Sequence, residues 1–96
     1  MVELDYELRD DGVLYRLGEG IVARVRGNSS RRATVTLQKG DDVVPPETGN
    51  LGGSALRERL VDLAQKRFGE MNGLVEDLGL IAAAFDDHLR ERLEAA

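Results

Sequence analysis

The stretch TGNLGGSALRERLV, residues 48–61, has the composition of a phosphate cradle: glycines leading into a helical pattern. Backbone amides at a helix start bind anions, helped by the helix dipole. A nucleotide-binding loop of the Walker kind also needs a lysine after its last glycine, to carry charge to the phosphates. None stands here, and Ser54 follows Gly53 directly. A flexible connection with Ser54 as the helix cap accounts for every residue of the stretch. Weak phosphate or sulfate binding at the helix start is the alternative it leaves open.

Other chemistry-bearing residues are sparse. Gly18-Glu19-Gly20-Ile21-Val22-Ala23 has the spacing of a dinucleotide fingerprint. That motif needs a helix after its glycines, and IVARV alternates as a strand instead. His88, the single histidine, stands among Asp86, Asp87 and Glu91. Metal centres draw on several converging ligands, commonly more than one His or Cys, so the reading here is a solvated acidic helix face. Asp41-Asp42 lies in turn chemistry. There are no cysteines, which removes disulfides, thiolate zinc sites and a thiol nucleophile. The expectation is a protein without catalytic residues, cofactor or metal, and not an enzyme.

One surface feature has direction. The chain has 96 residues and a formal net charge of −5, which argues against a generic nucleic-acid binder. Yet Arg24, Arg26, Arg31, Arg32 and Lys39 fall within a segment free of acids, whereas from Gly40 onward acids outnumber bases two to one. Alternation puts Arg24 and Arg26 opposite Ile21, Ala23 and Val25, with Thr34, Thr36 and Gln38 completing a polar, cationic face. Arginine forks and hydroxyls are what phosphate contacts use. The competing reading is internal: Glu3, Asp5 and Glu7 line another strand's polar face and would neutralise the arginines across the sheet. No aromatic accompanies the basic residues, so base stacking is not indicated.

The elements that position these residues follow from periodicity. Residues 2–8 alternate, Val2, Leu4, Tyr6 and Leu8 against Glu3, Asp5 and Glu7. Val13 to Leu17, Ile21 to Arg26 and Ala33 to Gln38 do the same, separated by Asp10-Asp11-Gly12, Gly18-Glu19-Gly20 and Gly27-Asn28-Ser29-Ser30. The pattern predicts an antiparallel meander of about four strands within 2–38, wet on one face. Residues 39–53 read as a loop, with Val43-Val44 as one more short edge strand before Pro45-Pro46 ends it. Helical period then begins at Ser54, with the stripe Leu56, Leu60, Leu63, Ala64 and Phe68 and Gly69 as the C-terminal cap. A second helix, 72–94, carries Leu74, Leu78, Ile81, Ala82, Phe85, Leu89 and Leu93. Gly79 inside it marks either close packing or a break. The fold class is α+β, a meander packed by two C-terminal helices in a single domain, 1–96.

The second helix predicts more than fold. It outreaches the first, and its stripe continues through Phe85, Leu89 and Leu93. Regular apolar residues beyond a core want a partner. The reading is a homodimer through this segment, with a larger natural protein or a fold-back onto Val2 and Leu4 as alternatives. No apolar run approaches the ~20 residues of a membrane span, and MVELDYELRD has no leader character. A cytoplasmic setting without membrane contact is expected.

The order of VTLQKGDDVV, then NLGGSALRERLV, then a helix opening LVEDL resembles an accessory segment that precedes the ATPase core in phage and mobile-element primase–helicase proteins. The matching positions are Asn50, Leu51, Ser54, Arg57, Leu60 and Val61, and the likeness covers residues 20–85. The ATPase core itself is absent from this chain. The resemblance implies a DNA replication context and assigns no contact residue. Together these readings point to a non-enzymatic binding or assembly module, with a small nucleic-acid-binding domain using the basic hairpin, Arg24 to Lys39, as the alternative.

Overall fold

A computed structural model describes residues 4–69 and 73–95. Six strands and two helices follow one another: β1 (Asp5–Arg9), β2 (Gly12–Arg16), β3 (Ile21–Ser29), β4 (Arg32–Lys39), β5 (Asp42–Val43), β6 (Glu47–Gly49), α1 (Ser54–Phe68) and α2 (Leu74–Ala95). The fold is α+β, a single antiparallel sheet with both helices on one side. Strand order is β1-β2-β3-β4-β5, and β6 also pairs with β4. Val2, Glu3 and Asn72 lie outside the described residues.

Alternation did the work expected of it. Val13, Tyr15, Ile21, Ala23, Val25, Ala33, Val35 and Leu37 are buried on the helix-facing side of the sheet. Leu56, Leu60 and Ala64 of α1 meet them, together with Leu74, Leu78, Ile81, Phe85 and Leu89 of α2. Leu14 is the exception. It belongs to the opposite face yet is only 7 % exposed, because it stands in register between Glu7 and Arg24, whose long stems flank it.

Three local expectations are corrected. The segment 39–53 is not one loop with a single edge strand. Besides β5, β6 pairs Glu47, Thr48 and Gly49 with Val35, Thr34 and Ala33; ETG is too short to alternate, so no period announces it. Ser54 is the first residue of α1 rather than its cap; Gly53 holds the cap position and no side chain bonds there. Gly79 does not break α2, which is continuous; a Cβ there would come within 3.4 Å of the Arg57 guanidinium, so the glycine gives close packing with α1.

The end of α2 does not overhang. Arg92 donates to the carbonyls of Arg9 and Asp10 in the β1–β2 turn, at 3.3 and 2.6 Å. Phe85 is fully buried and Leu89 is 7 % exposed within the chain's own core. The expected dimer seam of Phe85, Leu89 and Leu93 is therefore corrected: two of its three members are already covered, and only Leu93, 70 % exposed, remains outside. Among the described residues no helix is long and apolar enough to cross a membrane.

Candidate nucleic-acid interface

The glycine-rich stretch that looks like a phosphate cradle is an anchor. Leu51 is fully buried. The amide of Leu51 donates to the Ser30 carbonyl at 2.7 Å and that of Gly53 to the Asn50 carbonyl at 3.1 Å. The Gly52 amide donates to Asn50 Oδ1 at 2.9 Å. Three consecutive amides of the stretch, those of Leu51, Gly52 and Gly53, are already engaged within the chain.

The side of the sheet away from the helices is open. Its rows follow from the register: Asp5, Arg16, Val22 and Gln38; Glu7, Leu14, Arg24 and Thr36; Arg9, Gly12, Arg26, Thr34 and Thr48. Arg32 continues the face beyond Thr34 along β4. The surface is a broad open groove of about 620 Å³, lined by Arg9, Leu14, Arg24, Arg26, Thr36 and Gln38, with Asp10 and Asp11 at its β1–β2 end.

Charge on this face is segregated. Glu7 takes Arg9 at 2.6 Å and Arg16 at 3.2 Å, and Asp5 takes Arg16 at 3.3 Å. The carboxylates of β1 are thus spent on β1 and β2. Among the described residues, Arg24, Arg26, Arg31, Arg32 and Lys39 form no ion pair. Asp5 and Glu7 therefore do not neutralise β3 and β4, and Glu3 lies outside the described residues.

The five basic residues are not one patch. Arg24, Arg26 and Arg32 share the open face and are exposed. Arg31 sits in the turn itself. Lys39 pairs with Ile21, whose side chain is buried on the helix side, so strand parity sends Lys39 to the opposite face from Arg24 and Arg26. That placement corrects its membership of the cationic face.

The tip bearing Arg31 and Arg32 is held. The Ser30 amide and hydroxyl donate to Asp86 Oδ1 and Oδ2, each at 2.8 Å. Pairing between β3 and β4 shifts between Gly27 and Ser29, a bulge that sharpens the local twist. Gly27 has φ 141°, and a Cβ there would stand 2.6 Å from the Arg32 carbonyl, so this position needs glycine.

A second cluster lies on the helix side. His88 is not on a solvated acidic face. It stacks on Tyr6 with ring centroids 3.8 Å apart and an interplanar angle of 15°, and its Nδ1 is 2.8 Å from the hydroxyl of fully buried Tyr15. The Tyr6 hydroxyl donates to Glu91 at 2.8 Å. Burial pushes the Tyr15 pKa well up. The hydrogen bond to Glu91 raises that of Tyr6. Desolvation lowers that of His88, against the opposing pull of Glu91 and Asp87. In the tautomer that carries its proton on Nε2, the imidazole accepts from the Tyr15 hydroxyl at Nδ1. Sequence reasoning missed this cluster, since the hydrogen bonds that join its two halves span 73 and 85 residues. Among the described residues no group of three His, Cys, Asp or Glu side chains is placed to hold a metal. No protein-family profile, curated protein sequence or solved structure matches this chain.

Proposed function

We propose that this chain is a non-enzymatic binding module whose partner is the phosphate backbone of a nucleic acid, held on the open face of the sheet. The observation that carries the reading is the split in ion pairing. Arg9 and Arg16 meet Glu7 and Asp5, whereas Arg24, Arg26 and Arg32 on the same face form no ion pair among the described residues, although Asp10 and Asp11 stand at one end of the groove. An unpaired guanidinium offers forked donors that match phosphate oxygens. Arg24 and Arg26 are two residues apart on β3, ~6.7 Å at the rise of a strand, comparable to the separation of neighbouring phosphates along one backbone. Thr36 adds a neutral donor beside them, whereas the Thr34 hydroxyl bonds that of Thr48 and the Gln38 amide donates to the Gly40 carbonyl. None of the chain's four aromatic residues stands on this face, which favours backbone contact over base stacking. The net charge of −5 opposes a polyanion at long range, so contact has to be local. The resemblance to an accessory segment of primase–helicase proteins supports a DNA replication setting, in which the module serves a larger assembly.

The test is binding of a fluorescein-labelled duplex oligonucleotide across a potassium chloride series. Three phosphate contacts give a slope of log affinity against log salt of about −3. The triple variant Arg24→Ala, Arg26→Ala, Arg32→Ala is expected to lose most of the affinity and flatten the slope, whereas Lys39→Ala changes little. A triple variant that keeps wild-type affinity and slope removes this face as the site.

A further inference from the structure

We infer that Asp86 is a positioning residue for phosphate contact, acting through Ser30 to fix the β3–β4 tip at the end of the arginine face; the inference rests on the binding reading above. Asp86 belongs to α2, on the far side of the sheet from the groove, and among the described residues forms no ion pair with an arginine. Its two carboxylate oxygens accept from the amide and the hydroxyl of Ser30, each at 2.8 Å. The Ser30 carbonyl in turn accepts from Leu51 at 2.7 Å. A two-residue turn that would otherwise sway is thereby held by α2 and by the anchor ahead of α1. Arg31 and Arg32 follow Ser30 directly, so the clamp sets where Arg32 stands relative to Arg24 and Arg26. Ordering a cationic tip before the ligand arrives removes an entropic cost of binding.

Geometry and charge make opposite demands on this residue. Asp86 is a carboxylate near a polyanion site, so by Coulomb attraction alone its removal strengthens binding. If it positions the tip, its removal weakens binding. Asp87 is the matched control: it has the same charge, is the next residue on the same helix, and bonds Arg90 rather than Ser30. Ser30→Ala removes the hydroxyl arm of the clamp and leaves the charge count untouched.

Affinity for the same labelled duplex is measured at one fixed salt concentration for wild type, Asp86→Ala, Asp87→Ala, Ser30→Ala and the arginine triple variant. Hydrogen exchange at the Ser30 amide reports the tip, and far-UV circular dichroism reports the fold. The expected pattern is binding about two- to tenfold weaker for Asp86→Ala, the range of one or two hydrogen bonds. Ser30→Ala weakens in the same direction, Asp87→Ala binds as well as or better than wild type, and exchange at residue 30 quickens in Asp86→Ala. If Asp86→Ala binds as tightly as Asp87→Ala, or Ser30→Ala leaves affinity unchanged, the clamp has no part in binding although the face does. If the triple variant binds like wild type, or wild type does not bind, the face is not the site and the clamp inference falls with it.

Discussion

Tyr15 is the residue on which the interior turns. It is fully buried, and a phenol in that position needs a partner for its hydroxyl. His88 Nδ1 provides one at 2.8 Å. The imidazole accepts the bond only while neutral at that nitrogen. Burial lowers the His88 pKa below its ordinary 6.5, so the unfolded chain takes up a proton at a higher pH than the folded one. The stability this represents is fully present above pH 6.5 and declines as pH falls from 6.5 toward the folded value. Urea midpoints measured across that window are expected to fall with acidification more in wild type than in His88→Gln, which cannot titrate but can still accept from Tyr15. Equal slopes in the two proteins would show that the ring is not held neutral by its surroundings. None of this was legible in the sequence. The apolar register of Tyr6 and Tyr15 was clear, but a lone histidine among acids carries no mark of two tyrosines brought to it from the far end of the chain.

At the scale of elements, what could be read was what repeats. The two helices and the four longer strands declare themselves by period, because each must turn one face to the core. β6 and the cap of α1 were not legible: three residues cannot show an alternation, and Gly53 and Ser54 compete for one cap on nearly equal local terms. Lys39 was misplaced by reading the basic segment as a run rather than by strand parity. Close approach between strands is also silent in the sequence. A Cβ at Gly12 would collide with the Val25 carbonyl, whereas at Gly18 nothing lies within 4 Å. Gly12→Ala is therefore expected to cost about 1–3 kcal/mol through forced separation of β2 and β3. Gly18→Ala should stay within about 0.5 kcal/mol of wild type. Denaturant titration of both variants checks this, and a Gly12→Ala protein as stable as Gly18→Ala would mean the strands part without strain.

For the whole molecule, the arrangement is two-sided. One face of the sheet is closed by helices and the other is open, so any partner of the sheet must come to the arginine side. The exposed large apolar residues are Val43 on β5 and Val75, Leu80 and Leu93 along α2; they are single exposures of the kind monomers carry. Moving Phe85 out of the core to serve an interface would forfeit about 1.5–3 kcal/mol of burial. Light scattering over a concentration series is accordingly expected to give a monomer, with Leu93→Asp indistinguishable from wild type. A wild-type dimer that Leu93→Asp dissolves would restore the helix as a contact between copies.

The bond from Tyr6 to Glu91 and the bonds from Arg92 to the β1–β2 turn also bear on how the chain comes into being. Synthesis delivers the sheet first, with the apolar sides of β1 and β2 bare. Their cover is α2, which leaves the ribosome well after them. At ~5–20 residues per second, the nascent strands wait for seconds beside water before the helix that seals them exists. Neither the sheet nor the helix is a finished piece alone. This molecule is therefore completed after translation of α2 rather than during it, and the interval before then is when it is most exposed to unwanted company.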